Sequence, residues 1–151
     1  MKRRTLLISL GVLACFAAAT QAVAENSTHV DGYTVYHNAF TTDTLAPQVA
    51  KAYRIQRSSN RGLLNVSVIK ESPGTTGTSV PARVSAKILT LTGQQIPLAM
   101  REIRDAGALY YIGEFPVHEG QTLHFVIQVT PQGRRSPIQI QMDQQFFSTV
   151  Q

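Results

Sequence analysis

Thr122-Leu123-His124-Phe125-Val126-Ile127-Gln128-Val129-Thr130, followed by Ile138-Gln139-Ile140-Gln141-Met142-Asp143, decides the fold. Leu123, Phe125, Ile127 and Val129 fall on one side of an extended chain, as do Ile138, Ile140 and Met142, with Phe146 in the same phase. The opposite positions hold Thr122, His124, Gln128, Gln139, Gln141 and Asp143. Period-two alternation with one apolar and one wet face requires antiparallel sheet. Working outward, Ile96, Leu98 and Met100 give a further apolar face, and glycines at 93, 107, 120 and 133 punctuate the chain at strand–turn–strand spacing. Ala108 to Val117 differs: Leu109, Tyr111 and Phe115 are apolar, but so are Tyr110 and Ile112 between them, which predicts a strand covered on both sides.

The amino-terminal half adds Tyr33-Thr34-Val35-Tyr36 as a strand, and Leu64, Val66 and Val68 as the buried face of another, with Ile69 out of phase. Between them Leu45, Val49 and Tyr53 change the period to i, i+4, i+8, with Thr44 placed to cap and Pro47 in the first turn, so one short helix is expected over 45–53. The stretch from Ser72 to Ser79 reads as a surface loop. Strands are expected at 33–40, 62–70, 82–92, 95–104, 108–117, 122–130 and 136–147. The core should hold Leu64, Val66, Val84, Ile88, Leu98, Tyr111, Phe125, Ile127, Ile140 and Phe146. The pattern fits an all-β, immunoglobulin-like antiparallel β-sandwich with one short helix after the first strand, a small barrel being the second choice.

The first residues give an address. Lys2-Arg3-Arg4, an apolar run from Leu6 to Ala19, and Ala22-Val23-Ala24 form a cationic start, a hydrophobic centre and a small-x-small cleavage site, the three parts of a secretory signal peptide over 1–24. The run is too short to cross a bilayer, so no transmembrane segment is expected after cleavage and the protein should be periplasmic. A rival reading makes Cys15 the lipidated first residue of a lipoprotein. Removing Lys2, Arg3 and Arg4 from the 14 cationic side chains leaves 11 against 9 acids, a net charge of only +2 rather than +5, so nucleic acid is not expected as a partner. The 127 residues left after 24 are removed contain no cysteine, which excludes disulfides and thiolate sites. Residues 25–32 are polar and without period, and are expected to be a flexible leader before a single domain over 33–149.

Several separated blocks occur in order: Tyr33 to Phe40; Leu45-Ala46-Pro47-Gln48-Val49-Ala50 with Tyr53, Arg57 and Ser58; Gly62 to Val68; Glu102-Ile103-Arg104-Asp105; and Tyr110 to Val117. In these the sequence resembles a family of small exported Gram-negative proteins labelled only as a domain of unknown function. The resemblance implies a free-standing periplasmic domain and brings no activity, cofactor or catalytic residue with it.

Chemistry is sparse. There is no G-x-S-x-G elbow and no cysteine nucleophile after cleavage. Glu114 lies in the doubly apolar strand, where burial would raise its pKa unless an arginine pairs with it. His118 and His124 flank Glu119-Gly120-Gln121 and would share a copper or zinc ion if hairpin register set them opposite, with Met100 or Met142 as thioether ligands; both methionines belong to the apolar phase. The least ordinary surface feature is basic: Lys51, Arg54, Arg57 and Arg61 occur without an intervening acid, beside Asn38-Ala39-Phe40. Such a stripe suits anionic groups; its rivals are a plain solvated face, helix-dipole compensation by Lys51 and Arg54, and neutralisation by Asp43, Glu71 or the last strand. The sequence therefore points first to a non-catalytic periplasmic interaction domain that needs no cofactor, its partner an envelope protein or anionic envelope component. A metal-handling protein is the alternative, and a small hydrolase or isomerase the third. Intact-mass measurement of the exported protein should give a chain beginning at Glu25; a lipid on Cys15 or a retained Met1 would contradict the address.

Overall fold

Alternation of this kind closes only when two apolar faces meet, and the computed structural model, which describes residues 26–147, shows two antiparallel sheets meeting in that way. The strands are β1 (Ser27–Val30), β2 (Tyr33–Thr41), β3 (Arg61–Lys70), β4 (Thr78–Ser79), β5 (Ala82–Leu89), β6 (Gln95–Leu98), β7 (Met100–Asp105), β8 (Ala108–Pro116), β9 (Thr122–Pro131) and β10 (Ile138–Gln145). One sheet runs β1-β2-β3-β8-β7 with β4 beside β3; the other runs β10-β9-β5-β6. A 3-10 turn (Thr42–Thr44) and the helix α1 (Pro47–Ala52) separate β2 from β3. The protein is an all-β sandwich.

The inner faces are those the alternation selects. Val35, Leu64, Val66, Val68 and Tyr111 from the six-stranded sheet pack against Ile88, Phe125, Ile127, Val129, Ile140 and Met142 from the four-stranded one. Phe115, Phe125 and Phe146 meet edge to face, with centroids 5.2, 5.6 and 6.5 Å apart, and lock β8, β9 and the end of β10 together. Gly62 lies opposite Phe115 in the β3–β8 register, and a Cβ there would stand inside the phenyl ring's van der Waals radius. Of the expected core, Val84 and Leu98 are only partly buried; the other eight are buried. Polar groups also join the layers: the Tyr111 hydroxyl accepts the Ala82 N–H at 2.8 Å and donates to Glu102 Oε2 at 3.2 Å.

Four expectations are corrected. Ser27–Val30, within the supposed flexible leader, pairs with β2 as β1. The strand expected over 82–92 ends at Leu89, because the Thr90 hydroxyl and carbonyl take the Gln94 and Gly93 N–H groups into a turn that leaves Leu91 fully exposed. The strand expected over 95–104 is two: β6 pairs with β5 and β7 with β8, so the chain changes sheet at Ala99. Ile96 keeps the inner face, opposite Ile88, but is 42% exposed because β6 is a short edge strand that also carries Pro97. The helix is shorter than expected, and Ala46 is its N-cap; the Thr44 hydroxyl donates instead to Thr41 O at 2.7 Å. Residues 1–25, with the expected signal peptide and Cys15, lie outside the described residues.

β8 is covered on both faces, as its composition requires. Its outer residue Ile112 packs with Leu63 of β3 and with Ala50 and Ile55, while Phe40, Leu45, Tyr53, Ile103 and Tyr110 surround this second, smaller cluster. α1 and the segment after it therefore lie across the outside of the six-stranded sheet.

Two measurements check this arrangement. Phe125→Ala should cost about 3–5 kcal/mol in denaturant unfolding, and a near-neutral result would contradict the phase. His37 faces inward from β2, 8% exposed, and burial holds its pKa below the ordinary 6.5. The unfolded chain then binds a proton that the native state resists, so stability should be full above about pH 6.5 and decline as pH falls through the folded pKa. That decline should be smaller in His37→Gln.

Candidate functional site

The excursion between β2 and β3 is held at both ends by Thr42. Its buried hydroxyl donates to Gln56 O at 2.8 Å and accepts the Ser58 N–H at 2.9 Å. α1 stops at Tyr53, and the main chain then makes the two bonds of a Schellman motif: Ile55 N–H to Ala50 O at 2.8 Å and Arg54 N–H to Lys51 O at 3.3 Å. Ile55 and Ala50 also touch within the outer cluster, the apolar contact that accompanies this cap. The residue required to turn left-handed is normally glycine. Here it is Arg54, at φ +56°, a conformation that costs an L side chain roughly 1–2 kcal/mol.

Under α1 a cleft of about 220 Å³ opens onto the outer sheet face, lined by Phe40, Leu45, Tyr53, Ile103 and Tyr110, with Asn65 among them. Asn65 Oδ1 is buried there without a hydrogen-bond partner, an uncommon state for a buried polar atom. One wall is fixed by Tyr53: its hydroxyl donates to Asp105 Oδ2 at 2.6 Å, which raises its pKa, and its carbonyl accepts from Arg101 Nη2 at 2.6 Å. Next to it, Glu114 lies between Arg61 Nη1 at 3.2 Å and Arg101 Nη2 at 3.7 Å, in a depression shared with Gln56 and Ser58.

The basic stripe divides. Lys51 and Arg54 are exposed, and their side chains have no ion-pair or hydrogen-bond partner among the described residues. Arg57 is exposed and donates through Nη2 to the Asp43 carbonyl at 2.6 Å. Arg61 leaves the stripe: Glu114, 53 residues away in sequence, takes it up, so it is not the uncompensated charge its neighbours suggested. Of the proposed neutralisers, Asp43 supplies only its carbonyl, and Glu71 is bonded to Thr34 and His29 on another part of the sheet, where both hold its carboxyl below the usual range. Asn38 is exposed on the outer face and pairs in register with Asn65. Sequence reasoning missed Asn65, Tyr53, Tyr110 and Asp105 as neighbours. The available signal was Leu63-Leu64, apolar in both phases of β3 just as Tyr110 and Ile112 are in β8.

The histidine pair is separated. β8 and β9 belong to different sheets, so the turn between His118 and His124 is a crossover with no hairpin register. His124 Nδ1 binds Asp143 Oδ1 at 2.6 Å across the β9–β10 pair, and Met142 points into the core. Among the described residues no three His, Cys, Asp or Glu side chains converge as a metal would require. Ser27 Oγ is 3.5 Å from His29 Nε2, whose Nδ1 is 3.0 Å from Glu71, but this imidazole is 65% exposed and Glu71 is shared with Thr34 at 2.5 Å, unlike the buried orienting carboxylate of a hydrolase triad. No helix among the described residues is long and apolar enough to cross a membrane.

No curated protein matches the sequence. Among solved structures, a DUF4426 family protein from Pseudomonas aeruginosa (PA0388) is similar at 29% identity and a TM-score of 0.68, over 83% of this chain and 97% of that one. FetP of uropathogenic Escherichia coli, expressed in the periplasm, has the same fold at 7% identity and TM-score 0.56, over 82% of this chain and 93% of its own. A copper-bound FetP variant aligns at 9% identity and TM-score 0.55, over 82% and 95%. The stretches that carry the family resemblance lie on β2, β3, β7 and β8 and on the excursion around α1, the side of the molecule that bears the cleft. The family model for the domain of unknown function DUF4426 matches residues 27–149, and the chain belongs to that family.

Proposed function

We propose that the domain is a non-catalytic periplasmic binding module whose α1 face receives an anionic envelope component. Arg54 carries the reading. A position where glycine would relieve strain holds an arginine whose guanidinium is exposed and unpaired; strain kept against stability is a mark of function. Lys51 and Arg57 stand in the same short excursion, and the uncompensated charge extends its attraction over about 8 Å at physiological salt. Beside it the cleft offers apolar walls and a single orphan carboxamide, the combination that gives a ligand affinity and orientation. The signal-like start and the fold shared with a periplasmically expressed protein support the compartment.

The copper-bound FetP variant raises metal handling as a second reading, but among the described residues the donors come in twos, His29 with Glu71 and His124 with Asp143, on different sheets. Two donors are fewer than the three or four that a resident zinc or copper site takes.

Arg54→Gly separates stability from binding. The variant should be more stable by about 1 kcal/mol, since glycine takes the left-handed conformation freely, and should lose most of the envelope material that the tagged wild-type protein retains in low salt. Lys51→Glu should lose it too, with an unchanged melting temperature, and added salt should weaken capture by the wild type. Undiminished capture by both variants would refute the binding face.

A further inference from the structure

Among the described residues the two sheets end at β1, β7, β10 and β6, and three of these edges are blunted. β1 is four residues long; β6 is equally short and contains Pro97; β7 carries Arg101, Glu102, Arg104 and Asp105 among its six residues. Short length, proline and charge are the usual means of keeping an edge from pairing. β10 is neither short nor interrupted by proline, and it is nearly uncharged. It runs eight residues, Ile138–Gln145, in unbroken register with β9, without proline, glycine, lysine or bulge, and Asp143 is its single charge.

The direction of its free main-chain groups follows from its end. Phe146 donates its N–H to Gln121 O at 2.9 Å and accepts at its carbonyl the Gly120 N–H at 2.8 Å, so Phe146 faces the β9 side. Strand alternation then directs the N–H and C=O of Gln139, Gln141 and Asp143 to the open edge. We infer that this edge pairs antiparallel with β10 of a second copy, about a two-fold axis at Gln141, joining two four-stranded sheets into one continuous sheet. The occupant is set by self-complementarity. In that register Gln141 meets Gln141 of the second copy, and Gln139 meets Asp143. The pairing makes about six main-chain hydrogen bonds, sets a carboxamide donor against each carboxylate, and brings no like charges opposite one another. An isologous two-fold of this kind is the commonest form of closed assembly. It leaves the α1 face, on the other sheet, untouched, and so stands independently of the function proposed above.

Sedimentation equilibrium of the purified protein tests the inference. The wild type should dimerise. Gln141→Pro removes an N–H that points away from β9, so the fold and melting temperature of the monomer should survive while the dimer weakens by at least about tenfold. The register predicts opposite effects at one position: Gln139→Lys, set against Asp143 of the second copy, should tighten the dimer, and Gln139→Glu should loosen it. A monomer throughout, a Gln141→Pro dimer as tight as the wild type, or shifts of the same sign for the two Gln139 variants would overturn the proposal.

Discussion

β3 and β8 are apolar on both faces, and this constraint organises the rest of the molecule. Leu64, Val66, Tyr111 and Phe115 satisfy the inner face by meeting the second sheet; Leu63 and Ile112, on the outer face, would meet water if nothing covered them. The chain between β2 and β3 supplies the cover. It must leave the sheet at Thr41, lay Ala50 and Ile55 over Leu63 and Ile112, and return at Arg61, all in about twenty residues. A short helix with a tight, left-handed stop fits that path, and the Schellman bonds at Arg54 and Ile55 are the local consequence. The cover is smaller than the face beneath it, which leaves the cleft and the buried oxygen of Asn65.

Much of this was legible in the residues. The period-two runs of β9 and β10 and the doubly apolar run of β8 predicted their own burial, since side chains alternate strictly between faces. What alternation does not report is which sheet a strand joins. Ile96, Leu98 and Met100 keep one phase across Ala99 and all face the core, although the chain crosses from one layer to the other there, so the phase persisted while the sheet that carries it changed. The same blindness made His118 and His124 look like hairpin neighbours when their strands lie in different sheets. Polar pairing was equally hidden: Arg61 sits among like charges in sequence, yet its partner Glu114 arrives from β8 through the β3–β8 register. The leader looked featureless because β1 is only four residues long and, apart from Val30 at the core's edge, polar; it is placed mainly by pairing with β2.

The two sheets divide their roles. The six-stranded sheet carries the stretches of family resemblance, the covering helix, the strained arginine and the cleft; its free edge at β7 is charged and its other edge is short. The four-stranded sheet has a plain wet outer face, where His124 and Asp143 pair, and one long edge with a single charge. A domain built in this way can present one face to a ligand and one edge to a second copy without either interfering with the other, because the core of phenylalanines and aliphatics separates the layers by about 10 Å.

The central claim, that the outer face under α1 is the binding surface, is tested most directly by amide and side-chain carboxamide NMR of the isotopically labelled protein during titration with soluble envelope extract. The account predicts shifts at Arg54, at the Asn65 carboxamide and at Tyr110, with β9 and β10 unchanged. Shifts confined to the four-stranded sheet, or a carboxamide signal of Asn65 that does not move while other residues do, would contradict it.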